Sequence, residues 1–144
     1  MQRSEFQFST PLRVRWSDAD MQGIVFNGHY LTYADVGITE YFRALSEANA
    51  GQSSVNGSDF FAVRTLLEYR SPAVYDDMLD IHVRIAKLGN SSMQFLIGIY
   101  RDEELLVTGE IVYVHADQKS RQPMRIPDSF RAAIERFEKT APHA

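Results

Sequence analysis

Y-L-T-Y-A-D-V-G-I-T-E-Y-F-R-A-L-S-E-A, residues Tyr30 to Ala48, is a long stretch with a single helical period. Thr32, Asp35, Thr39, Arg43 and Glu47 recur at helical spacing and form one narrow polar stripe. Tyr30, Leu31, Ala34, Ile38, Tyr41, Phe42 and Leu45 fill most of the remaining circumference. A helix this apolar is expected to be largely buried. Asn49 and Gly51 supply its expected stop.

Around that helix the period is two. Upstream, Leu12, Val14 and Trp16 alternate with Arg13 and Arg15, as in a half-buried strand. Downstream, Gln52 to Asp59 reads as a polar loop containing Gly57, and four strand patterns follow. The first carries Val63, Thr65, Leu67 and Tyr69 and ends before Pro72; the second carries Leu79, Ile81, Val83 and Ile85. Gly89-Asn90 is a turn signal before Met93, Phe95, Ile97 and Ile99, and Arg101 to Glu104 is a charged turn before Leu105 to His115. A short helix carrying Phe130, Ala133, Ile134 and Phe137 closes the chain, with Asp128 as its expected N-cap. Hairpin-length connections imply an antiparallel sheet, and only the Tyr30–Ala48 helix is long and apolar enough to cover one of its faces. The expectation is an α+β fold, a curled antiparallel sheet around one helix, as a single domain over residues 1–144. Open sheet edges favour pairing with a second copy.

The composition narrows the function classes. A net charge of −4 gives no overall attraction to nucleic acid or anionic lipid. Cysteine is absent, which excludes disulfide scaffolds, thiolate metal sites and cysteine nucleophiles. The start, M-Q-R-S-E-F-Q-F, lacks a signal-peptide core and no run reaches membrane-spanning length, so a cytoplasmic protein without membrane insertion is expected.

Chemistry concentrates between the first strand and the long helix, in W-S-D-A-D-M-Q-G-I-V-F-N-G-H-Y-L-T-Y, Trp16 to Tyr33. Two acids, Asp18 and Asp20, stand at a strand end; a glycine, apolar residues and a polar turn follow, and then the helix begins. This order aims a carboxylate at a helix start, whose unpaired N–H groups polarise a carbonyl oxygen, as acyl transfer requires. The same pattern also suits a polar turn with helix-capping acids. Asp18 reads as a support of the loop by hydrogen bonding. His29 beside two aspartates suggests a metal ligand, but a metal needs three or more converging ligands and the other histidines are distant in sequence, so no metal is expected. Tyr30, Tyr33, Tyr41 and Phe42 read as core, whereas Trp16, next to the acids, is a candidate for lining a pocket.

The segment D-A-D-M-Q-G-I-V-F-N-G-H-Y, Asp18 to Tyr30, resembles the signature of the hotdog-fold acyl-CoA thioesterases of the 4-hydroxybenzoyl-CoA thioesterase family. E-Y-R-S-P-A-V-Y-D-D-M-L-D-I, Glu68 to Ile81, and R-Q-P-M-R-I-P, Arg121 to Pro127, are similar to later blocks of that family. The resemblance implies hydrolysis of an acyl-CoA to free acid and coenzyme A, with no cofactor and in a homodimer or homotetramer. It implies Asp20 as catalytic base or nucleophile and the backbone N–H of Asn27, at the start of the helix, as oxyanion donor, with Gly28 and His29 supporting. It further implies a cationic rim for the coenzyme A phosphates, supplied by Lys87 with Ser91 and Ser92 and by Lys119 with Arg121; the alternative is solvated turn charges without a role. Arg64 and Arg70 are weaker candidates. Two departures stand out: Asn27 occupies a position where several relatives have histidine or tyrosine, and Met21-Gln22 replaces small residues. Other hotdog thioesterases use an acid within the helix, for which Asp35 and Glu40 are the candidates. The rival readings are a non-catalytic acyl-CoA-binding domain, and a hydroxyacyl-thioester dehydratase using His29.

Overall fold

The computed structural model describes residues 1–48 and 57–144. Its elements run β1 (Phe8–Arg13), α1 (His29–Ala48), β2 (Ser58–Tyr69), β3 (Met78–Leu88), β4 (Ser92–Arg101), β5 (Glu104–Asp117) and α2 (Asp128–Phe137), with short 3-10 turns at Arg3–Glu5 and Trp16–Asp18. The strands form one antiparallel sheet in the order β1-β3-β4-β5-β2. This is the antiparallel sheet with one long helix that the strand and helix periods predict, and the hotdog architecture that the resemblance implies.

The core lies between one face of the sheet and α1. Leu79, Ile81, Val83 and Ile85 of β3, with Phe95, Ile97 and Ile99 of β4, are fully buried on that face. Tyr30, Tyr33, Ala34, Gly37, Ile38, Tyr41 and Leu45 are the buried side of α1. Tyr41 ties the layers together, its ring lying 5.8 Å from Phe8, 5.7 Å from Phe95 and 5.3 Å from Phe137. Its hydroxyl donates to Glu138 Oε2 at 2.6 Å, and the same oxygen accepts the Ile85 N–H at 2.9 Å. Burial pushes the Glu138 carboxyl upward in pKa against both of these bonds.

Several expectations need correction. The first strand ends at Arg13, so Trp16 lies outside it, in a 3-10 turn. Helix α1 is less enclosed than its composition suggests, because Leu31 and Val36 are exposed beside the polar stripe. It begins at His29, which leaves Asn27 in the turn before it. Strand β2 already starts at Ser58, inside the stretch read as a loop; the expected helix stop at Asn49 and Gly51 and the remainder of that loop up to residue 56 lie outside the described residues. Pro127, not Asp128, is the N-cap of α2, and Asp128 instead pairs with Arg125 at 3.0 Å. A rigid φ of the helical kind and a dispensable N–H suit proline to a helix start, which leaves the aspartate free for the first turn.

The two sheet edges differ. Strand β1 covers β3 as far as Val83, and the C-terminal tail covers the next stretch: Leu88 N–H donates to the His143 carbonyl at 2.7 Å and His143 N–H to the Ala86 carbonyl at 2.8 Å. Strand β2 is the opposite edge, and Val63, Leu66 and Tyr69 are exposed along it.

Gly37 sets the approach of α1 to the sheet. A Cβ there would lie 2.6 Å from Ile81 Cγ2 and 2.9 Å from Val83 Cγ2, both side chains held in the core. Intrinsic helix propensity favours alanine over glycine by about 1 kcal/mol, but overpacking a filled core costs about 1–3 kcal/mol. Gly37→Ala is therefore expected to destabilise the protein, and denaturant unfolding midpoints measure the sign.

Candidate active site

Residues 18 to 26 fold into a small antiparallel ribbon at the start of α1. Phe26 N–H donates to the Asp18 carbonyl at 3.0 Å, Ala19 and Val25 bridge, and Asp20 N–H donates to the Ile24 carbonyl at 2.9 Å. The tip closes with Gly23 N–H on the Asp20 carbonyl at 3.0 Å, and Gly23 adopts a φ of +77°, a conformation that glycine enters without strain. Asp20 is half-buried, and its Oδ1 accepts the Gln22 N–H at 2.8 Å. Among the described residues no donor meets its Oδ2.

Asn27 and Gly28 form the turn that joins the ribbon to α1. The following amides are engaged: His29 N–H donates to the Phe26 carbonyl and Tyr30 N–H to the Asn27 carbonyl, at 2.9 and 3.3 Å. Among the described residues, neither the Asn27 nor the Gly28 N–H donates to another backbone carbonyl. The Tyr69 hydroxyl reaches the Asn27 carbonyl at 3.4 Å. A cleft of about 260 Å³ opens here, lined by Ile24, Val25, Asn27, Tyr30, Tyr69 and the 70–72 segment.

Asp18 is only 1% exposed and sits at the root of the ribbon. Its Oδ2 accepts the Tyr33 hydroxyl at 2.8 Å and the Arg15 N–H at 3.0 Å; its Oδ1 accepts Arg15 Nη2 at 3.0 Å. Burial by itself would raise the Asp18 pKa, but the Arg15 backbone N–H, the Arg15 guanidinium and the Tyr33 hydroxyl outweigh it and hold the carboxyl below its ordinary value. Burial, reinforced by the Asp18 charge, moves the Tyr33 hydroxyl upward. Asp18 thus braces the loop as an anion.

The other predicted residues are dispersed. Trp16 is 77% exposed, its ring edge-on to Tyr75 at 5.1 Å. His29 is half-buried and packs against Phe26 at 5.7 Å. Asp35 is exposed, and Glu40 pairs with Arg43 at 3.2 Å. No group of three or more histidine, aspartate or glutamate side chains converges as a metal site among the described residues. Lys87, Ser91 and Ser92 lie at the β3–β4 turn, and Lys119 and Arg121 follow β5. Register places both groups at one end of the sheet, where Ser92 faces Val114 and Asp117 faces Ser58; the ribbon packs at the other end, with Val25 N–H on the Ala73 carbonyl. Within one chain the cationic candidates and Asp20 are therefore not brought together. The Arg121 guanidinium lies over the Phe61 ring at 5.1 Å, and Arg131 ties down the Asn90 carbonyl at 3.0 Å.

Tyr33, Tyr30 and Arg15 escaped the sequence reading as site residues. The only available signal was the i, i+3 spacing of the two tyrosines on a buried helix face, which reads equally as core.

With the ribbon and helix start in view, the comparisons with known proteins are informative. Residues 14–134 match the family described as the thioesterase-like superfamily. The chain belongs to that family. It is 30% identical over 127 residues to the acyl-CoA thioester hydrolase YbgC of Escherichia coli, covering 87% of this chain and 93% of that one. Among solved structures, the PA5185 protein of Pseudomonas aeruginosa superposes with a TM-score of 0.80 at 24% identity, over 96% of each chain. Slr0204 of Synechocystis, a 1,4-dihydroxy-2-naphthoyl-CoA thioesterase, gives 0.77 at 19% identity over 88% of this chain and 94% of its own. These two share the fold.

A carboxyl held below its ordinary pKa contributes stability above its unfolded value, and that contribution is lost as pH falls through the folded value. Asp18→Asn is expected to cost about 2 kcal/mol at neutral pH, the scale of hydrogen bonds to a charged group. The stability curves of variant and parent should converge as the pH is lowered into the acid range, as thermal unfolding across that range would record.

Proposed function

We propose that this protein is an acyl-CoA thioesterase in which the ribbon presents both halves of the catalytic apparatus, the Asp20 carboxylate and the Asn27 N–H. The activity follows from membership of the family and from the named activity of the Escherichia coli relative. The observation that supports the residue roles is the ribbon itself. It anchors one Asp20 oxygen and leaves the other without a donor, and it ends at amides that no backbone carbonyl takes among the described residues.

The chemistry then runs as follows. The thioester oxygen accepts the Asn27 N–H, with Gly28 allowing close approach, and charge developing on that oxygen is stabilised by roughly 3–4 kcal/mol per preorganised donor. Asp20 either removes a proton from a water that adds to the carbonyl carbon, or adds to that carbon itself. In the first route the tetrahedral intermediate expels coenzyme A thiolate and leaves the free acid. In the second, thiolate departure leaves a mixed anhydride that water opens to the same acid and regenerates Asp20. Neither route requires a metal or redox cofactor. The site belongs to one domain spanning the chain, with the cytoplasm as its place of action.

The open β2 edge supports a homodimer. Two copies pairing antiparallel along β2 across a two-fold axis would set the Ser58 end of one strand beside the Tyr69 end of the other. Lys119 and Arg121, which lie next to the Ser58 end, would then approach the partner's ribbon and meet the phosphates of its coenzyme A. Lys87, Ser91 and Ser92 lie further along the same sheet end, and a tetramer would join such dimers by other faces.

Asp20→Asn is expected to lower thioester turnover by at least about two orders of magnitude with an unchanged melting temperature, measured by thiol release across short, long and aromatic acyl-CoA substrates. Near-normal turnover would refute the assignment. Charge-removing changes at Lys119 and Arg121 should raise KM several-fold and flatten its salt dependence while kcat holds, because phosphate contacts are equally good in ground and transition states. A KM indifferent to both would place the phosphates elsewhere.

A further inference from the structure

Two tyrosine hydroxyls from the first turns of α1 reach the two arms of the ribbon by separate routes. Tyr33 donates directly to Asp18 Oδ2 at 2.8 Å, and Asp18 in turn holds Phe26, the residue before Asn27, through its carbonyl. Tyr30 accepts the Ala73 N–H at 2.9 Å, and the Ala73 carbonyl accepts the Val25 N–H, also at 2.9 Å. Ala73 belongs to a segment that is itself pinned: Asp77 Oδ2 accepts the Val74 N–H at 2.9 Å and Arg101 Nη1 at 2.7 Å. The two tyrosine rings stand edge-on, 5.7 Å apart, both buried and one helical turn from each other. The chain from helix to ribbon is therefore short and buried, and runs from stiff aromatic side chains to the Asp18 carboxylate on one route and to main chain on the other.

We propose that Tyr33 and Tyr30 are positioning residues for thioester hydrolysis, clamping the ribbon so that the Asp20 carboxylate and the Asn27 N–H keep a fixed separation from the helix start. The proposal rests on the roles given above to Asp20 and Asn27 and adds the device that fixes their geometry. The Asp20 end of the ribbon has few anchors of its own: Asp20 is half-buried, and Met21, Gln22 and Gly23 are exposed. The position of the carboxylate is consequently inherited from the root of the ribbon, where Asp18 and Val25 are buried. A donor and a nucleophile acting on one carbonyl must be placed to within a fraction of an ångström, and a displacement of about 1 Å costs roughly a hundredfold in rate. A hydroxyl that fixes the root thus acts on turnover without touching substrate.

Tyr33→Phe and Tyr30→Phe keep the rings and remove only the hydroxyls. Tyr41→Phe is the control: it removes another buried hydroxyl from the same helix face, bonded to Glu138 and not to the ribbon. Each variant is assayed by thiol release, by thermal unfolding and by hydrogen exchange of the peptide covering residues 19–28, alongside Asp20→Asn. Tyr33→Phe is expected to lower kcat about ten- to a hundredfold with KM within about twofold, and to accelerate exchange in that peptide. Tyr30→Phe should act in the same direction, whereas Tyr41→Phe should lose thermal stability and retain kcat and the exchange pattern. Unchanged exchange in residues 19–28, or a loss of kcat in Tyr41→Phe that matches the other two, would overturn the clamp. Full turnover in Tyr33→Phe, with Asp20→Asn inactive, would overturn the clamp while sparing the Asp20 role. Turnover retained in Asp20→Asn would overturn the role itself, and the clamp's catalytic meaning with it.

Discussion

The close approach of α1 to β3 at Gly37 is the constraint on which the active end of the molecule depends. A helix held off by even one methyl would meet Ile81 and Val83 too early, and its whole buried face would tilt or lift. That face carries Tyr30 about two turns and Tyr33 about one turn before Gly37, so the reach of their hydroxyls to Ala73 and Asp18 depends on the same contact. Packing in the apolar core and placement of polar groups at the helix start are consequently one problem. The protein solves it with a residue that has no side chain.

Buried polarity is distributed with equal economy. Asp18 and Glu138 are both largely enclosed carboxyls, yet their surroundings drive them in opposite directions. Burial acts on both, but Asp18 meets a guanidinium and two further donors and stays ionised, whereas burial dominates at Glu138 despite Tyr41 and Ile85. The first residue braces the ribbon, and the second joins α1, β3 and α2 about two turns further along the helix. Helix α1 is thus fastened by two tyrosine–carboxyl bonds, with apolar contacts between them.

Much of this was legible in the sequence, and the failures share a cause. Alternation located β3 and β4, each flanked on both sides by strands of the chain's own sheet, and the charged turn before Leu105 located β5. The helix was placed to within one residue at its start. The sequence separated Asp18 from Asp20 by role; the structure shows one buried carboxyl with three donors and one half-buried carboxyl that accepts the Gln22 N–H. Periodicity gave no warning that Trp16 leaves the strand, since a 3-10 turn of three residues has no repeat to detect. Nor did it separate Leu31 from the buried face of α1, because composition records how apolar a surface is and not what covers it. The tyrosine hydroxyls were invisible for a further reason: their partners, Asp18 and Ala73, are reached across space and only one of them lies in the helix's own signature.

The C-terminal tail has a consequence for β3. Strand β1 is shorter than its neighbour, and a strand left half-covered carries backbone groups with no partner. Beyond the point where β1 gives out, His143 takes up the backbone groups of Ala86 and Leu88. The last few residues therefore act as a splint, completing from a distant part of the chain the cover that β1 leaves short.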